Sequence, residues 1–118
     1  MKKYTKTHEW VEESEDGVIT IGLSDYAQNE LGDIVFINLP ELGKELKVDD
    51  VFADVESVKA VSEVYSPVNG IILEVNEELL DTPEKINYDP LNTWLIRVTD
   101  VSEFTELMDE ESYLEFVS

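Results

Sequence analysis

No cysteine occurs among the 118 residues of this chain, so the polypeptide owns no disulfide, thiol nucleophile or thiolate metal site. It has one histidine, His8, too few for a zinc site unless several carboxylates converge on it. Cations are scarce: 8 Lys and Arg stand against 28 Asp and Glu, a formal net charge of −20. That deficit argues against nucleic-acid binding, which needs a cation for each phosphate contacted, and against adhesion to anionic membranes. No apolar run approaches the ~20 residues of a membrane span. The opening Met1-Lys2-Lys3-Tyr4-Thr5-Lys6-Thr7 has no apolar stretch of the kind a secretory signal needs, so a cytoplasmic protein is the expectation.

What is present is enough for a packed core. Hydrophobic residues make up 42% of the chain, with 2 Trp, 5 Tyr and 4 Phe, which argues against disorder driven by charge. The length predicts one domain over residues 1–118, burying roughly two-thirds of its unfolded surface. The acid excess favours solubility and steered encounters with basic partner surfaces.

Most of the pattern is short strands separated by turns. Residues 4–12 read as a first strand, Glu15-Asp16-Gly17 as a hairpin turn and residues 18–21 as the returning strand. Ser24 is placed to cap a short helix through Leu31, with Gly32 as its stop. Strands follow at 34–38, 71–76 and 93–99, with a turn at Pro67-Val68-Asn69-Gly70 and mostly loop at 79–91. Residues 104–108 and 113–117 suggest one or two short acidic helices. The segments 32–38 and 70–76 echo each other as G-x-I-x-x-[IV]-N, as two related β units folded face to face would.

Lys59 stands out, being the only basic residue between Lys47 and Lys85. It lies in a strand-like stretch, 51–66, that is too long for one strand. A tight turn at Val58-Lys59 divides the stretch into two comparable arms, and a type I geometry would spare Val58 a positive φ. A nucleophilic lysine needs burial or neighbouring cations; Lys59 has Glu56 and Glu63 nearby instead. An exposed lysine on a rigid tip suits covalent modification, and an amide there would remove one positive charge.

The run Glu56-Ser57-Val58-Lys59-Ala60, with Val64-Tyr65-Ser66-Pro67-Val68-Asn69-Gly70 after it, resembles the lipoyl-attachment region of the glycine cleavage system H protein family. His8-Glu9-Trp10-Val11, residues 21–28, residues 31–36, Leu39-Pro40, Ile86-Asn87, Asp89-Pro90, Trp94 and the tail through Tyr113 match that family in order. The resemblance implies a mainly β fold of the lipoyl/biotinyl type, a hybrid of barrel and sandwich. It would carry a short helix near 24–31 and a C-terminal helical segment.

The resemblance further implies a carrier and not an enzyme, with lipoate covalently attached to Lys59. The lipoyl arm would take an aminomethyl group from glycine decarboxylase (the P protein) and deliver it to the aminomethyltransferase (the T protein). Its dithiol would be reoxidised by dihydrolipoamide dehydrogenase (the L protein), and a lipoyl ligase or lipoyltransferase would install it. The cofactor would then bring the sulfurs that the chain lacks. Glu9 matches the family position that holds the loaded amine in a surface cleft, as a carboxylate suits a cation. Glu56 and Glu63, flanking the tip, are candidates for recognition by the lipoylating enzyme. Trp10 reads as core and His8 as a satisfied strand residue. A monomer suits a shuttle that visits several enzymes.

Two departures stand against the family pattern: Tyr26 where a histidine is frequent, and Asn92-Thr93 where a glycine usually precedes the tryptophan. They leave an H-like lipoyl storage or relay protein, outside glycine cleavage, as the alternative. A biotinyl domain fits less well, because the neighbours of Lys59 are Val58 and Ala60 and not methionines. A carboxylate-pair hydrolase and an unmodified structural domain are the remaining readings.

Overall fold

Two antiparallel sheets enclose the core of the computed structural model, which describes residues 1–118. In chain order the strands are β1 (Lys3–Tyr4), β2 (Glu9–Glu13), β3 (Ile19–Leu23), β4 (Ile34–Asn38), β5 (Glu45–Leu46), β6 (Val51–Ser57), β7 (Val61–Tyr65), β8 (Gly70–Val75) and β9 (Trp94–Thr99). The helices are α1 (Asp25–Leu31), α2 (Glu78–Asp81), α3 (Lys85–Tyr88) and α4 (Glu110–Phe116). One sheet runs β1-β2-β3-β9-β8-β5 and the other β4-β6-β7. This is the mainly β two-layer architecture expected, with the predicted helix at α1 and a C-terminal helix at α4; the sheets do not close into a continuous barrel.

Alternation explains the core. Ile19 and Ile21 of β3, Ile72 of β8, and Ile96 and Val98 of β9 point inward from the larger sheet. Ile37, Val55 and Val64 meet them from the smaller one. Fully burying each such side chain is worth about 1.5–3 kcal/mol. The echoing segments become β4 and β8, one in each layer, pairing with β6 and β9 respectively. Gly22 of β3 is required where it stands, because a Cβ there would lie 2.5 Å from the ring of Trp10. Trp10 is buried as expected and donates its indole N–H to the Pro90 carbonyl (3.1 Å).

Four local expectations are corrected. Residues 4–12 do not form one strand: β1 folds back on β2, pairing Tyr4 with Trp10. The turn between them lacks glycine and is held by Thr5, whose Oγ1 accepts the Glu9 N–H (3.1 Å). His8 takes the left-handed conformation there (φ 74°), which His tolerates better than most residues, so it is not a strand residue. Residues 79–91 hold the one-turn helices α2 and α3, nailed down by the fully buried Leu79 and Ile86. Residues 104–108 are extended and not helical; Phe104 bridges to Val68 and Met108 to Tyr4. The two-residue strand β5, too short for any periodicity, pairs with β8.

Candidate functional site

The β6–β7 hairpin presents Lys59 at its tip, where the overlong strand-like stretch was expected to turn. The last paired rung is Glu56 with Val61. Beyond it the Ser57 N–H donates to the Ala60 carbonyl (2.8 Å). The Ser57 hydroxyl takes over the rest of the turn: its Oγ accepts the Ala60 N–H (3.1 Å). No residue from 58 to 60 has a positive φ, so this turn needs no glycine. A further bond, from the Val58 N–H to the Asp33 carbonyl (2.9 Å), ties the tip to the segment after α1.

Lys59 is exposed and forms no ion pair. Its stem passes Gly32, whose missing Cβ would stand 3.5 Å from the Lys59 Cε. Gly32 has φ 77° and closes α1 by donating its N–H to the Gln28 carbonyl (3.0 Å). Asn87 of α3 clasps this segment from below. It donates to the Gly32 carbonyl (2.8 Å) and accepts the Ile34 N–H (2.9 Å). Asn87 is a positioning residue that sequence reasoning saw only as part of a motif match.

A cleft of about 170 Å³ lies between α1 and the smaller sheet, lined by Thr7, His8, Leu23, Tyr26, Leu31 and Glu63 among others. Glu63 is therefore at the cleft, while Glu56 sits on the outer rung between Phe36 and Val61. Glu9 is only 1% exposed and stands behind Thr7. Its Oε1 accepts the hydroxyls of Thr5 (2.6 Å) and Thr7 (2.5 Å), and its Oε2 accepts the Tyr65 N–H (3.2 Å). Burial pushes its carboxyl pKa above the ordinary value, and these donors restrain the rise. Glu9 thus stitches β2 to β7 across the two sheets.

Tyr26 stacks at a tilt on His8, ring centroids 4.8 Å apart. The His8 Nδ1 is 2.8 Å from the Tyr113 hydroxyl, which is 2.7 Å from the Ser24 Oγ. Burial lowers the His8 pKa, with Glu30 opposing it. Tyr113 also stacks on Tyr4 (4.5 Å), so this one residue fixes α4 against β1, the His8 turn and the cap of α1. Tyr113→Phe is expected to cost about 1–2 kcal/mol, read as a lower urea midpoint at unchanged slope. At the other departure, the Asn92 amide donates to Asp89 and the Thr93 hydroxyl to the Lys85 carbonyl (3.3 Å).

Comparison with known proteins is consistent along the whole chain. The family model described as "Glycine cleavage H-protein" matches residues 2–118. A probable glycine cleavage system H protein of Pyrococcus abyssi is 56% identical over 117 residues, covering 97% of this chain and 87% of the relative. A glycine cleavage system H protein of Lachnoclostridium phytofermentans is 54% identical over 114 residues, covering 97% and 90%. The crystal structure of a glycine cleavage system H protein from Mycobacterium marinum superposes with a TM-score of 0.90 at 34% identity, covering 97% of this chain and 94% of that one.

Proposed function

Because the chain belongs to the glycine cleavage H-protein family, whose members carry lipoyl groups and are not catalysts, we propose that it is a lipoylated carrier with Lys59 as the attachment point. The observation that carries this reading is the exposed, unpaired Lys59 on a tip fixed both within the hairpin and to Asp33. A primary amine exposed at a hairpin tip can enter a modifying enzyme's active site, and amide formation leaves the fold untouched. Once attached, the lipoyl group supplies the disulfide and dithiol chemistry that a cysteine-free chain lacks.

The chain's own residues then hold and present the arm. The cleft opens beside Leu31, next to Gly32 and the Lys59 stem, and leads to Thr7. A cationic aminomethyl group in the cleft would meet the Glu63 carboxylate at its edge and, one hydroxyl behind the wall, Glu9. An incoming cation would offset the burial that disfavours ionised Glu9. Glu56 and Glu63 flank the tip as carboxylates for a lipoyl ligase or lipoyltransferase to read.

In this reading the carrier takes the aminomethyl group from glycine decarboxylase and passes it to the aminomethyltransferase. Dihydrolipoamide dehydrogenase reoxidises the dithiol. No helix is long and apolar enough to cross a membrane, and a charge of −20 keeps copies apart, in keeping with a cytoplasmic monomer. The test is loading: the lipoylated protein, given glycine and glycine decarboxylase, is expected to support exchange of the glycine carboxyl with carbon dioxide. Lipoylation without exchange, together with transfer of the lipoyl group to another acceptor, would favour the relay alternative.

A further inference from the structure

A second concavity, of about 580 Å³, shares Tyr26 with the arm cleft. Its floor is the stacked pair Tyr4 and Tyr113. Two apolar side chains on its walls are left largely to water, Tyr88 at 67% and Leu114 at 57% exposure. Asp25, Asp89 and Glu110 stand among the lining residues, and no lysine or arginine does. An apolar floor under carboxylates that form no ion pair, though Asp25 and Asp89 each accept one side-chain amide, selects against acidic and against purely polar occupants.

We propose that this groove receives an apolar segment bearing an arginine or lysine, from an enzyme that uses the Lys59 arm; the inference rests on the carrier reading above. Charge supports it, since no cation lines the groove beside Asp25, Asp89 and Glu110, and Lys85, the cation near Asp89, is engaged by Glu78. Position supports it too. Asp25 and Tyr26 begin α1, and Gly32, which ends it, lies against Lys59. A helix of seven residues spans about 10 Å. The groove and the root of the arm therefore fit under one partner footprint of about 800 Å². Tyr26 forms a wall of both concavities, so the docked segment would sit directly behind the stored arm.

Lipoylated wild type, Leu114→Ser and the double variant Asp89→Lys/Glu110→Lys would be compared as substrates of glycine decarboxylase, aminomethyltransferase and dihydrolipoamide dehydrogenase. All three positions are exposed, so extent of lipoylation should match wild type. The unfolding midpoint should match for Leu114→Ser and fall slightly for the double variant, which loses the Asn92–Asp89 hydrogen bond and an acid in the first turn of α4. With at least one enzyme, the double variant is expected to raise KM for the carrier about ten-fold at unchanged kcat, with a flatter salt dependence. Leu114→Ser should raise KM without altering the salt dependence. Unchanged KM with all three enzymes, while wild type is turned over, overturns the groove assignment. Failure of wild type itself with every enzyme overturns the carrier reading, and the groove assignment with it.

Discussion

Lys59→Arg protein, co-expressed with lipoate and a lipoylating enzyme, is expected to keep its unmodified mass while wild type gains one lipoyl group. Arginine preserves the charge and most of the stem, but its guanidinium stays protonated and cannot attack an activated acyl group as an amine does. The tip does not depend on the Lys59 side chain, because Ser57, Ala60 and the bond to Asp33 hold it through main chain and one hydroxyl. Stability should therefore stay within about 0.5 kcal/mol of wild type. Intact-mass spectrometry reads the modification and urea unfolding reads the fold. The modified wild type should also migrate as a more acidic species, having lost one cation. A lipoyl-sized increment on the arginine variant would remove Lys59 as the attachment point.

Glu9→Ala is expected to cost roughly 3 kcal/mol of folding stability without changing lipoylation at Lys59. The Tyr65 N–H would lose its acceptor inside the protein, a loss of about 1–3 kcal/mol, and the vacated volume adds to it. Glu9→Gln is the sharper comparison. Both oxygens of Glu9 act only as acceptors, from two hydroxyls and one amide. A glutamine either turns its NH2 against the Tyr65 N–H or makes the two threonine hydroxyls reverse from donors to acceptors. The pH dependence has a definite sign. Burial raises the Glu9 pKa in the folded state, so the folded chain binds that proton more tightly than the unfolded chain does. The advantage of wild type over Glu9→Gln is thus greatest below the unfolded carboxylate value and declines as pH rises through the raised folded value. Urea midpoints for the pair, taken from acid to neutral pH, would expose the trend; an advantage that grows with pH would contradict it.

How much of this could be read from the residues in order depends on the range of the contacts. The Lys59 tip was legible because an unbroken 51–66 strand is improbable and only its middle divides it evenly. The device that makes the turn was not, since a serine hydroxyl substituting for a main-chain carbonyl leaves no glycine or proline as a marker. Glu9 is a strand residue, where a glutamate is ordinarily solvated; its burial comes from the Thr5–His8 turn beside it and from Tyr65, 56 residues away. Asn87 is equally silent, because its partners Gly32 and Ile34 are more than 50 residues distant. The 104–108 segment has apolar spacing that suits a helix. A hydrogen bond from the Thr105 N–H to the Pro67 carbonyl (2.7 Å) and the bridge at Met108 draw it out as extended chain. Ser24 as a helix cap was the opposite case, local and correct: its Oγ accepts the Ala27 N–H at 3.1 Å.

For a lipoyl group carried on Lys59 as proposed, the hydrogen bond from the Val58 N–H to the Asp33 carbonyl would set how far the arm can range. With the hairpin moored at that point, the mobile part of the assembly would be the arm alone, and its free end would search a small volume around a fixed root. Short flexible tethers of this kind hold an end group at an effective concentration of about millimolar. A cleft with only modest intrinsic affinity for an amine would then be filled most of the time. Loosening the mooring would dilute the end group and empty the cleft, exposing the cargo to water between visits to its enzymes.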